Sequence, residues 1–263
     1  MDGVIPTVRD APVGPTPYLE RFVRGGFPGP LRSSPGVRRR FFDSYLETIV
    51  ERDVPDIAAL RSLNGPARVL RLVAARSASL LNVASLARDL HLDNKTVDHY
   101  LRILRDLMLV RLHQPWFANL GSRQIKSPKI YVTDPGLMAA LAGVDQRGIQ
   151  RSPTLMGSFF ETAAGMELVR LAATSDRHVN IYHYRDKKQR EADIVLERED
   201  GAVVCIEVKS GATASSGDFR SLRYRRDGLE DRFSAGIVLH GGGQTLPLGD
   251  RLAAVPISAL WSA

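Results

Sequence analysis

The sequence contains a single cysteine, Cys205, among its 263 residues. An internal disulfide is therefore excluded, and so is a zinc site built from several thiolates. The chain also lacks an apolar run of the ~18 residues that a membrane helix needs, since its longest candidate is only residues 136–144. The first ten residues do not show the basic and then apolar pattern of a secretory signal. A cytoplasmic protein without a membrane partner is expected.

Two common catalytic motifs are also missing from the sequence. No G-x-x-x-x-G-K-[ST] loop is present, and the glycine-rich residues 241–245 (GGGQT) lack its lysine, so that they are expected to form a turn. No G-x-S-x-G elbow of the α/β-hydrolases is present either. We therefore expect no nucleotide cofactor and no ATP hydrolysis by this chain alone.

The composition is that of an ordinary globular protein, with 44% hydrophobic and 25% charged residues. The length is sufficient for one large domain or two of average size. The 36 Lys and Arg residues exceed the 29 Asp and Glu residues and give a net charge of +7. This excess is typical of a nucleic-acid partner, but a solvated basic surface explains it equally well.

Hydrophobic periodicity and turn residues divide the chain into three parts. Residues 1–36 are rich in Pro and Gly and are interpreted as a leader or as the remnant of a larger element. Residues 37–146 begin with two helices, at 37–53 and 65–76. This second part ends with a short strand, a short helix and a polar, loop-like stretch. Residues 147–263 form the third part.

A helix-turn-helix pattern lies within the second part. Residues 83–90 and 94–107 are predicted helices separated by three residues, with Asn94 as the N-cap of the second helix. Short strands at 109–112 and 116–120 would complete a winged helix-turn-helix. The candidates for DNA contact are the polar side chains left outside the second helix, namely Lys95, Thr96, His99, Arg102 and Arg105. A solvated face or a protein contact remains the alternative.

The last part combines a long helix, 153–173, with strands at 180–184, 191–197 and 203–209. Residues 199–201 (Glu-Asp-Gly) suit a three-residue hairpin loop, which pairs Arg198 with Ala202. The same register places Asp193 directly opposite Glu207. Opposed like charges are destabilising in a strand pair unless a cation lies between them.

The chemistry of these residues indicates a metal site. Asp193 and Glu207 offer the hard oxygen ligands that Mg²⁺ or Mn²⁺ prefers. Lys209 lies on the same face of its strand as Glu207. A divalent ion with a neighbouring lysine would support phosphodiester hydrolysis, with the lysine orienting the attacking water or offsetting charge on the phosphate.

The pattern EADIVLE…AVVCIEVKSG resembles the Asp…Glu-x-Lys motif of the PD-(D/E)XK restriction-endonuclease-like superfamily, and the helix GSFFETAAGMEL resembles its first helix. The resemblance implies a catalytic set of Asp193, Glu207 and Lys209, with Glu161 as an auxiliary acid and the first two as metal ligands. The proline that names the motif is absent, because Ala192 precedes Asp193.

The stretches RGGFP, VTDPGLMAAL and IEVKSG extend the resemblance to the C-terminal half of a prokaryotic AAA-type ATPase family. In that family a winged helix and a nuclease-like domain follow the ATPase module. The resemblance implies an α+β protein, with a winged helix-turn-helix domain followed by an α/β restriction-endonuclease-like domain, from which the ATPase module is missing.

Three functions are compatible with these features. The first is a Mg²⁺- or Mn²⁺-dependent deoxyribonuclease with DNA as its partner. The second is a non-catalytic module that binds DNA or protein, and the third is an inactive remnant of an ATPase family member. A homo-oligomer and a separate ATPase subunit stay open as further partners.

Overall fold

The computed structural model describes residues 6–8, 11–52, 65–117 and 127–261. Within these residues the chain forms a mixed α+β fold of nine α-helices and nine strands that pair in both directions. The helices are α1 (Pro15–Arg24), α2 (Pro35–Arg52), α3 (Gly65–Ala75), α4 (Val83–Leu90), α5 (Asn94–Asp106), α6 (Pro135–Ala142), α7 (Gln146–Gln150), α8 (Pro153–Ala173) and α9 (Arg220–Leu229). The strands are β1 (Ser79–Leu80), β2 (Val110–Pro115), β3 (Lys129–Val132), β4 (Val179–Arg185), β5 (Glu191–Arg198), β6 (Val203–Val208), β7 (Phe233–His240), β8 (Leu246–Pro247) and β9 (Leu252–Pro256).

Contacts within the chain define two compact units, each built from separate segments. The helical unit comprises Leu19–Leu112 and Ile130–Thr162. The sheet unit comprises Met1–Tyr18, His113–Lys129 and Ala163–Ala263. Among the described residues, no helix has the length and hydropathy that a membrane crossing requires.

The predicted order of helix, short turn, helix and strand is present in the helical unit. The N-cap of α5 is Asp93, whose carboxylate accepts a hydrogen bond from the backbone N–H of Thr96 at 2.8 Å. Asn94 was therefore the wrong cap, because it is already the first helical residue. The predicted strand 116–120 lies mostly outside the described residues, and Trp116 itself follows the end of β2.

Two stretches of the helical unit that carried the family resemblance pack directly on each other. Asp134, which is 8% exposed, is the N-cap of α6 and accepts a hydrogen bond from the Leu137 N–H. Its other oxygen accepts one from the Gly26 N–H at 2.7 Å. The positive φ of Gly25 and the 2.9 Å between its hypothetical Cβ and Gly136 Cα leave no room for a side chain. RGGFP and TDPG therefore form one close turn–helix contact around the buried Asp134.

We expect Asp134→Ala to lower the free energy of unfolding by about 2–4 kcal/mol. The change removes a helix cap and leaves the buried Leu137 N–H and the Gly26 N–H without this acceptor. Urea denaturation measures the effect. Asp145→Ala is the matched control, because Asp145 caps α7 in the same way but is exposed; it should cost about 1 kcal/mol or less. Equal losses for the two variants would contradict a buried role for Asp134.

The sheet unit is built on strands in the order β2-β4-β5-β6-β7-β9-β8. The β4–β5 and β5–β6 pairs are antiparallel, whereas β6 pairs with β7, and β7 with β9, in parallel. All six residues of β6 are buried, which makes it a central strand covered on both faces. Helix α9 contributes Leu222 to the core that covers Cys205 and Phe233. A charged residue on β6 must therefore be compensated within the protein.

Candidate metal centre

The β5–β6 hairpin has the predicted register. Ile194 pairs with Ile206, and Val195 with Cys205. Continued by one position beyond these paired residues, the register sets Asp193 opposite Glu207. The loop also forms as predicted, since the Arg198 N–H donates to the Ala202 carbonyl at 3.0 Å and Gly201 has a φ of +83°. A local loop thus fixes which two acids face each other.

Three carboxylates converge at the open end of this hairpin. Glu191, Asp193 and Glu207 each offer an oxygen, and these oxygens all lie within 4.8 Å of one another. Asp193 is 6% and Glu207 7% exposed, whereas Glu191 is half-buried. Sequence reasoning missed Glu191, although strand alternation places it on the same face as Asp193 two residues later.

Lys209 lies beside Glu207, as the Glu-x-Lys spacing predicted. Its Nζ donates to Glu207 Oε1 at 2.8 Å, and its side chain is 38% exposed. The second oxygen of Glu207, Oε2, is buried and has no hydrogen-bond partner among the described residues. Burial and the charge of Asp193 raise the pKa of Glu207 to about 8, against the opposing effect of Lys209. The site thus contains a buried carboxylate oxygen that a proton or a cation would compensate.

A second lysine, which the sequence analysis did not single out, pairs with the other central acid. Lys129 is 5% exposed, and its Nζ donates to Asp193 Oδ1 at 2.9 Å. Asp193 Oδ2 accepts a hydrogen bond from the Val208 backbone N–H, also at 2.9 Å. Burial would raise the pKa of Asp193, but the charge and hydrogen bond of Lys129 hold it below its usual value. Asp193 is therefore an ionised carboxylate with one hydrogen-bond donor on each oxygen.

His183 adds no positive charge to this region at neutral pH. Burial, together with the charge of Lys129, lowers the pKa of this histidine to about 4. One ring nitrogen, Nε2, lies 3.1 Å from the Ser127 carbonyl. The described basic groups nearest the three acids are thus the two lysines and Arg185, whose Nη1 is 3.7 Å from Glu191 Oε2.

Glu161, the predicted auxiliary acid, is not one of the three clustered carboxylates. It belongs to the helical unit, where Tyr131 Oη donates to Glu161 Oε1 at 2.7 Å. Its auxiliary role remains a prediction.

The predicted DNA-contact residues lie on α5 of the helical unit. Lys95, Arg102 and Arg105 are exposed, while Thr96 and His99 are partly buried. Thr96 Oγ1 donates to Asp93 Oδ2 at 2.7 Å and so belongs to the helix cap. The exposed face of α5 therefore presents three cations, and DNA contact through it remains a prediction.

The residues of the sheet unit fit a divalent cation by their chemistry. All three clustered ligands are carboxylates, the type that Mg²⁺ and Mn²⁺ prefer. The buried and unpartnered Glu207 Oε2 provides an acceptor that a cation would satisfy. Glu191, Asp193 and Glu207 are the residues that would hold such an ion.

Fold and site together define a protein with an α+β fold and an acid–lysine cluster on its sheet. The chain belongs to a family described as a domain of unknown function, DUF8612, whose model matches residues 16–148. A second domain of unknown function, DUF4143, matches residues 156–260; this domain is typically associated with AAA-type ATPases. The first match ends at residue 148 and the second begins at residue 156.

Two curated relatives are similar to nearly the whole chain. They are the uncharacterized protein Mb2031c of Mycobacterium bovis and the uncharacterized protein Rv2008c of Mycobacterium tuberculosis. Each is 33% identical over 253 residues, which cover 95% of this chain and 54% of the relative. The chain thus spans about half the length of these relatives. No solved structure matches it significantly.

Proposed function

We propose that this protein is a DNA-associated, metal-dependent nuclease of the PD-(D/E)XK type, with Mg²⁺ or Mn²⁺ as its cofactor. The observation that carries the proposal is the convergence of Glu191, Asp193 and Glu207 beside Lys209, together with a Glu207 Oε2 that has no partner within the described ranges. Bound between these acids, a divalent ion would polarise a phosphodiester and acidify a water molecule.

The side chains divide the remaining tasks according to their positions. Asp193 is held rigidly by Lys129 and the Val208 N–H, so that it presents a fixed negative charge. Lys209 is the more exposed of the two lysines and can reach a phosphate or a water at the edge of the site. Its charge is secured because nearby Glu207 and Asp193 raise its pKa, despite partial burial, which acts in the opposite direction. Lys209 is thus suited to offset charge that develops on phosphate oxygens.

A cleavage assay with Mg²⁺ or Mn²⁺ on single- and double-stranded DNA tests this function. We expect wild type to cleave and Lys209→Ala to lose about 10²–10³-fold in rate, the effect of removing one electrostatic stabiliser. Lys187→Ala is the matched control, because Lys187 is an exposed lysine in a turn outside the cluster. Equal cleavage by wild type and Lys209→Ala would overturn the proposal.

A second candidate function is a non-catalytic binding module on the same fold. It is favoured by the fact that both central acids already have lysine partners. Salt-sensitive DNA binding without cleavage in either metal would support this alternative.

We further propose that DNA lies across α5, within a winged helix-turn-helix. The exposed Lys95, Arg102 and Arg105 on one helix support this interface. Lys95→Ala/Arg102→Ala should weaken DNA affinity and reduce the slope of log affinity against log salt by about 2, one for each phosphate contact. Fluorescence anisotropy over a salt series measures both quantities. The charge-matched control is Lys187→Ala/Lys188→Ala, and identical slopes for the two double variants would rule out this interface.

The likeness to longer relatives supports one more proposal. In those relatives, an AAA-type ATPase module would occupy the part that this chain does not match. For this chain, a separate ATPase subunit would take that role and act together with the two domains. The association of DUF4143 with such ATPases and the 54% coverage of the relatives support this arrangement.

A further inference from the structure

The two central acids of the cluster differ in how many of their oxygens are available. Both oxygens of Asp193 are engaged, one by the Lys129 ammonium and the other by a backbone N–H. Of the two oxygens of Glu207, Oε1 accepts from Lys209, whereas Oε2 has no partner in the part of the chain that the structure describes. The unpartnered Oε2 of Glu207 and the half-buried Glu191 therefore mark the side of the cluster where a cation would find ligands.

Lys129 is a buried lysine, whereas a surface lysine could move aside when a metal binds. Its side chain and that of Asp193 are 6% and 9% exposed, so that the pair is shielded from water. Moving the Lys129 ammonium away from Asp193 would break a buried ion pair, and this costs free energy. A single positive charge is thus fixed on the Asp193 side of the site.

The charges around the cluster also limit how many ions it can take. Counted over the described residues, the three clustered carboxylates lie beside three cations, namely Lys129, Lys209 and the more distant Arg185. One divalent ion then adds two positive charges, which a substrate phosphate would partly neutralise. A second divalent ion would add two more in the same low-dielectric environment.

We propose that Lys129 takes the place of a second metal ion, so that this cluster binds one divalent cation, held from the Glu207 and Glu191 side. Lys129 is a positioning residue in this arrangement, because it acts through Asp193. The proposal rests on the metal dependence put forward above and specifies its stoichiometry.

The test is the number of Mn²⁺ ions bound per chain, measured by electron paramagnetic resonance of free Mn²⁺ and by calorimetry. Wild type should bind one ion and Lys129→Met two, because removal of the ammonium frees Asp193 Oδ1. Lys129→Arg keeps the charge and should bind one. Lys129→Met/Asp193→Asn lacks both partners and should also bind one Mn²⁺ ion. This result would show that the second ion depends on the freed carboxylate.

Two ions in wild type would overturn the proposal, and this measurement does not depend on whether any variant folds. One ion in a folded Lys129→Met protein would overturn it as well. If wild type binds no Mn²⁺, the proposed metal-dependent function itself fails. If the stoichiometry changes as expected but DNA is not cleaved, the inference stands and only the nuclease function is lost.

Discussion

Lys129→Met is expected to lower the free energy of unfolding by about 3–5 kcal/mol in metal-free buffer. The change removes one partner of a buried ion pair and leaves Asp193 as an uncompensated charge, a situation that typically costs this much. Denaturant unfolding at pH 7 measures the loss. The methionine side chain fills a similar volume, so that a cavity contributes little to the effect.

The double variant Lys129→Met/Asp193→Asn serves as the control for this prediction. It removes both charges, and most of the stability should return, since buried ion pairs replaced by neutral groups are often close to neutral in stability. The Val208 N–H keeps an acceptor in the asparagine side chain. A loss of less than about 1 kcal/mol in the free energy of unfolding of Lys129→Met would contradict the prediction. The pair would then be coupled as weakly as a surface salt bridge.

Glu207→Gln is expected to abolish the stabilisation of the protein by divalent cations. A ligand that binds only the folded state at one hundred times its dissociation constant stabilises it by about 2.7 kcal/mol. Glutamine has nearly the same shape and still offers Lys209 an acceptor, but it removes the charge that an ion would bind. In the absence of metal and at neutral pH the variant should be more stable than wild type. Burial and Asp193 raise the pKa of Glu207 to about 8, so that folding requires this carboxyl to take up a proton, and glutamine removes that cost.

Thermal unfolding with and without Mg²⁺ or Mn²⁺ measures both effects of Glu207→Gln. Glu197→Gln is the matched control, since Glu197 lies on β5 but pairs with Arg232 at 2.8 Å, outside the three-acid cluster. It should retain the full metal-dependent shift. A Glu207→Gln protein that responds to metal as wild type does would contradict a ligand role for Glu207.

Local sequence patterns were sufficient to predict several elements closely. Helices α4 and α8 have their predicted bounds, because apolar spacing and capping residues act over a few residues. The β5–β6 register was also predictable, since a hairpin loop of fixed length determines every pair that follows it. Asp193, Glu207 and Lys209 lie on that one hairpin, and their juxtaposition therefore followed from the sequence.

The partner of Asp193 was not predictable in the same way. Lys129 lies 64 residues before Asp193 in the chain, and as a single lysine at the start of a short strand it carries no local signal. Similarly, the contact between RGGFP and TDPG joins residues 108 positions apart. Both stretches were recognised separately, but nothing in either sequence shows that a carboxylate of one caps an N–H of the other.

The sequence by itself thus determined the hairpin, its register and the three groups that the loop geometry brings together. The tertiary structure decided which of these acids keeps a free oxygen and which is neutralised by a buried lysine. The physical reason is the range of the interactions. Turn and strand geometry is set by residues that are neighbours in sequence, whereas the charge state of a buried carboxylate depends on groups that come close to it only when the whole chain has folded.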